Sequence, residues 1–120
     1  MTSPISTDLG SDLPVEEFRA LAHEVADWAA DYLGGVGSLP VLPGVRPGDV
    51  RSALPATPPL QGESLTEVLS DFRDVIVPGL THWNHPSFFG YFAMTGSGPG
   101  ILAEMLTAAL NGNAMVWRSS

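Results

Sequence analysis

The residues with chemical potential crowd into one stretch, "THWNHPSFFGYFAMTGSGPG", Thr81 to Gly100. Trp83, Phe88, Phe89, Tyr91 and Phe92 are flat apolar walls, His82 and His85 are titratable, and Gly96 to Gly100 form a loop rich in small residues. Rings beside a few polar groups make either plain core or the wall of a small-ligand pocket, and composition weighs the two about equally. His82 and His85 stand three apart, but no neighbouring carboxylate completes a metal set, so the expected role is bonding backbone or lining a pocket, with no metal. "GSGPG" matches neither phosphate-binding glycine pattern and is expected to be a tight turn with Ser97 capping the next helix. No G-x-S-x-G elbow is present, and no catalytic set is complete in this chain.

The rest of the chain must position these rings. Residues 1–12 are polar and are expected to form a flexible arm. From Val15 to Leu33, apolar residues recur at spacings of three and four, which predicts an amphipathic helix stopped by Gly34 and Gly35. Residues 36–62 hold six prolines, which predicts an extended, non-helical crossing. Ser64 and Glu67 form a capping box ahead of a second helix that Pro78 and Gly79 end. A third helix is expected between Pro99 and Gly112; it has almost no polar face and is expected to be buried on most sides. The fold class is therefore a mainly α fragment: three helices with extended Pro-rich and aromatic segments.

Charge and composition exclude several functions. The net charge is -8, with five arginines, which argues against nucleic acid as a partner. Twelve of the thirteen acids precede residue 75, so the last forty residues, with Glu104 and Arg118 their only acid and arginine, read as the interior of something larger. There is no cysteine, no signal-peptide pattern and no apolar run of membrane-spanning length, which suits the cytoplasm and gives no membrane role. There is also no lysine.

"PGLTHWNHPSFFGYF" resembles the P-G-x-x-H-W-x-x-P-x-F-F-x-Y-F pattern of the group II pyridoxal-phosphate amino-acid decarboxylases, the family of aromatic-L-amino-acid decarboxylase and histidine decarboxylase. "PGVRPGDVRSALPATPP" is likewise similar to that family's P-x-V-x-P-G-x-x-R-x-x-L-P-x-x-x-P segment. The resemblance runs from residue 14 onward and implies an α/β parent of the aspartate aminotransferase type, residues 13–80 being a helical dimerisation segment and 81–120 the truncated start of the cofactor and substrate domain. It implies loss of the α-carboxylate of an amino acid, with pyridoxal 5'-phosphate as electron sink. It further implies a substrate wall of Trp83, Tyr91, Phe92, Met94 and Thr95, and a cross-subunit pocket contribution from Asn113 and Met115 in a homodimer. Met94 stands where the animal aromatic-acid enzymes carry a substrate-contacting threonine, a departure that counts against catechol-type recognition, and Asn113 stands where apolar residues are usual, a second sign of a substrate other than theirs. The cofactor's Schiff-base lysine and its other anchors belong to parts of the family pattern beyond this region, so no catalytic or cofactor-binding residue is expected here and the chain alone is expected to be inactive. Two other readings compete: a non-catalytic dimerisation fragment that joins a full-length subunit, and an unrelated helical module with an aromatic pocket.

Overall fold

The computed structural model describes residues 13–92, 96–115, 117 and 118. Among these residues the secondary structure is helical throughout, with no strand. The chain divides into two compact units, Met1–Phe88 and Phe89–Ser120.

In the first unit, α1 spans Val15–Gly35 and begins after Pro14, with Glu16 and Glu17 in its first turn at the positive end of the dipole. The helix runs through Gly34 and Gly35 and tightens into a 3₁₀ turn at Val36–Ser38, so the glycines do not stop it where the sequence predicted. Neither glycine takes a left-handed conformation, and Ser38 Oγ donates to the Gly35 carbonyl at 2.7 Å, which helps satisfy the frayed end. Val36 is the buried apolar side chain of the described residues.

The proline-rich crossing contains a short helix, α2, at Asp49–Ala53, which corrects the expectation that nothing helical survives there. The reason is spacing: Pro47 and Pro55 leave Gly48 to Leu54 free of proline. Gly48 supplies the left-handed entry (φ 97°), and Asp49 Oδ2 accepts from the Arg46 backbone N–H at 2.8 Å.

α3, Leu65–Asp71, starts at the predicted capping box: Ser64 Oγ accepts from Glu67 N at 3.2 Å, and Glu67 Oε2 accepts from Ser64 N at 3.1 Å. It continues as a π-helical turn, Phe72–Ile76, and closes as a 3₁₀ turn, Val77–Gly79. The π turn faces α1. Phe72 meets Trp28 edge-on at 4.9 Å, and Arg73 reaches Glu24 Oε1 at 2.6 Å.

In the second unit, α4 spans Gly98–Leu110. Ser97 caps it as expected, its Oγ accepting from Gly100 N at 3.1 Å. Asn111 (φ 45°), rather than Gly112, takes the left-handed C-cap, a position that asparagine tolerates. Every residue of α4 is exposed, against the expectation of burial on most sides. The helix has the apolar composition of a buried element, but burial needs a second surface, and the described residues of its own unit offer it none.

Candidate functional site

The ring-rich segment is held by a clasp that no local pattern announces. His82 is 5% exposed, the buried polar side chain of the described residues. Its Nδ1 lies 2.9 Å from the Tyr32 hydroxyl, which donates to it when the ring carries its proton on Nε2. Its backbone N–H donates to the Val41 carbonyl at 3.0 Å, tying the segment to the crossing as well as to α1. Tyr32 in turn stacks on Trp28, with centroids 5.2 Å apart and planes 9° apart.

Beyond His82 the backbone advances in tight turns. His85 N donates to His82 O at 3.0 Å and Phe88 N to His85 O at 2.9 Å. His85 Nδ1 accepts from Ser87 N at 2.9 Å, so this histidine bonds backbone, as the sequence suggested. Trp83 and Phe88 stack across these turns at 5.2 Å and 24°. No group of His, Cys, Asp or Glu among the described residues has the makings of a metal site.

In the second unit, Tyr91 and Phe92 meet edge-on, centroids 6.0 Å apart, and are 85% and 98% exposed. Tyr91 has φ 59°, a left-handed conformation that costs a bulky residue energy and is found where the surroundings or the function require it. Asn113 Oδ1 accepts from Met115 N at 2.7 Å, so the two cross-subunit candidates are joined in one local turn and both side chains are exposed. Met94 and Thr95 lie outside the described residues. Trp83 is 48% exposed, Phe89, like Tyr91 and Phe92, is almost fully exposed, and Phe88 is the least exposed of the five rings. Trp83 in the first unit and Phe89, Tyr91 and Phe92 in the second are thus each presented rather than packed as core.

The sequence model of the pyridoxal-dependent decarboxylase conserved domain matches residues 47–120, the part that contains these rings. The chain belongs to the pyridoxal-dependent decarboxylase family. This is the family that the ring motif resembled. A tyrosine decarboxylase of Oryza sativa subsp. japonica is 40% identical over 121 residues, covering 99% of this chain and 23% of the relative. A phenylacetaldehyde synthase of a Rosa hybrid cultivar is 42% identical over 115 residues, covering 96% of this chain and 23% of the relative. In structure, the chain is similar to the crystal structure of Oryza sativa TDC with PLP and tryptamine: the TM-score is 0.84 and the identity 33%, over 92% of this chain and 23% of that one. The chain therefore spans under a quarter of the length of these relatives.

The family's cofactor is pyridoxal phosphate, which enzymes hold as a Schiff base on lysine. This chain has no lysine among its 120 residues, so its own side chains do not provide that anchor. What it does provide is apolar ring surface: Trp83 on Phe88 in one unit, Tyr91 on Phe92 in the other.

Proposed function

We propose that the chain is the N-terminal part of a pyridoxal phosphate-dependent decarboxylase of aromatic L-amino acids, in which it supplies the wall around the substrate's side chain. The observation that carries this reading is the exposed Tyr91–Phe92 ring pair within the family-matched region, with Tyr91 held at φ 59°. Flat faces at offset and edge-on angles suit a flat substrate side chain, to which they contribute stacking and displaced water. Trp83, Tyr91 and Phe92 are the ring contacts of this proposal, with Met94 and Thr95 beside them and Asn113 and Met115 reaching a neighbouring subunit. The names of the relatives support an aromatic substrate, and the presence of both a decarboxylase and an aldehyde synthase among them makes the product worth identifying.

The proposal includes a homodimer in the cytoplasm. On α1, Val15, Phe18 and Val25 stay exposed although they are apolar, as do Ile101, Leu102 and Leu106 of α4. A second polypeptide surface would remove these side chains from water. The absence of cysteine suits a reducing compartment. No helix among the described residues is long and apolar enough to cross a membrane.

The test is Tyr91→Ala in the full-length enzyme that carries this segment, with amine, aldehyde and CO₂ all measured on L-tyrosine and L-tryptophan. A loss of kcat/KM by about tenfold or more, the scale of a buried ring contact, is expected. Unchanged kcat/KM for both substrates would reject the pocket role. The second reading, a dimerisation fragment without a pocket role, is favoured by the same exposed apolar side chains, and it predicts weakened subunit association in Phe18→Ser with kcat/KM of the assembled enzyme kept.

A further inference from the structure

We infer that Tyr32 and His82 are positioning residues that set the enzyme's affinity for its aromatic substrate by fixing the angle at which Trp83 is presented. The inference rests on the pocket reading above and adds to it two residues that do not themselves touch substrate.

His82 and Trp83 are adjacent, so the orientation of the His82 peptide fixes where the Trp83 ring begins. That orientation is set from both sides. On one side, the His82 ring is tilted 47° against Tyr32 at 5.6 Å and bonded to its hydroxyl, and its N–H is bonded to Val41. Tyr32 is itself held by the stack on Trp28, which Phe72 of the π turn closes edge-on. On the other side, the carbonyl of His82 starts the turns that bring Phe88 back onto Trp83. A hydrogen bond between side chains fifty residues apart thus joins α1 to the first ring of the wall. Trp83, half exposed, is placed by the backbone that His82 holds and by its stack on Phe88.

A neutral hydrogen bond is worth about 1 kcal/mol, which is about fivefold in an equilibrium. If the bond acts by pre-orienting the wall, its loss falls on substrate binding and leaves the chemical step alone. The experiment uses the full-length enzyme with L-tyrosine and compares Tyr32→Phe, His82→Leu, His82→Asn and Trp83→Ala by kcat, KM and Tm. Tyr32→Phe removes one hydroxyl and keeps the stack on Trp28, so it preserves the packing that His82→Leu puts at risk. KM is expected to rise about fivefold in Tyr32→Phe with kcat unchanged, as one lost hydrogen bond requires. His82→Asn, whose side chain keeps an acceptor close to the place of Nδ1, is expected to restore KM toward the parent value. A fall in Tm with KM held in Tyr32→Phe would mark the bond as merely structural and overturn the inference. An unchanged KM in Tyr32→Phe alongside a raised KM in Trp83→Ala would overturn it while leaving the pocket reading intact. An unchanged KM in Trp83→Ala would overturn both for this ring.

Discussion

Cγ2 of Val50 lies 2.5 Å from where a Cβ on Gly79 would stand. α2 of the proline-rich crossing and the 3₁₀ turn that closes α3 therefore meet at a contact that has room for hydrogen only. Gly79 has no positive φ, so the demand on it is steric and not conformational. Gly79→Ala is expected to destabilise the chain by about 1–3 kcal/mol, the usual cost of overpacking. Val50→Ala in the same chain should recover part of that loss, because it removes the methyl in the way. Denaturant unfolding of the two single variants and the double variant checks this; additive losses would show that the contact is not the cause.

The capping box at α3 predicts a pH dependence. The Ser64 hydroxyl and then the Ser64 backbone N–H, both hydrogen-bonded to the Glu67 carboxylate, hold it below the ordinary glutamate range. A carboxylate lowered in the folded state stabilises fully above its unfolded pKa, and that contribution disappears as pH falls through the lowered folded value. The Tm difference between the parent chain and Glu67→Gln should therefore shrink as pH drops from neutrality through the acid range. A difference that stayed constant would mean that the charge on Glu67 contributes nothing.

Tyr91 offers a separation of stability from function. A bulky residue in the left-handed region costs roughly 1–2 kcal/mol, and glycine relieves that cost. Tyr91→Gly is thus expected to hold or raise Tm while kcat/KM for an aromatic amino acid falls in the full-length enzyme. A fall in Tm would mean that the Tyr91 side chain contributes more to packing than its backbone loses.

At the start of α4, a Cβ on Gly100 would approach Ser97 Oγ to 2.9 Å, inside ordinary contact. Ser97→Ala should lower helix stability by about 1 kcal/mol, the value of an N-cap. Gly100→Ala gains helix propensity but presses on the cap, so it should stabilise less in the parent than in the Ser97→Ala background. Circular dichroism melts of the four combinations test that coupling.

What the sequence revealed was what its near neighbours decide. The Ser64–Glu67 box and the Ser97 cap each join residues three apart, and both form as expected. α2 is not legible in the density of prolines, because a helix responds to the particular gap between Pro47 and Pro55 and not to an average. The π turn escaped because apolar spacings of three and four do not distinguish an α from a π register over a single turn. The Tyr32–His82 bond joins residues fifty apart and leaves no periodic trace. α4 was expected to be buried because its composition is that of an interior helix, yet composition states a demand and only a neighbouring surface meets it. For the site, the ring motif pointed to the family, and Trp83, Tyr91 and Phe92 are ring contacts by proposal; the left-handed backbone at Tyr91 had no signal in the residue type, since glycine or asparagine would be the expected occupant.

The π turn at Phe72–Ile76 also bears on which changes of length the segment tolerates. A π turn accommodates one residue more than the α register needs, so it is a place where an insertion is absorbed without breaking the helix. Removing Asp74 would therefore return the stretch to a plain α-helix and leave the register of the chain after it in place, so Gly79 would still face Val50. Removing a residue from Leu65–Asp71 would instead rotate everything downstream by about 100°, one residue's share of a turn. A change of one residue in length is absorbed at the π turn and not in the α-helical turns before it.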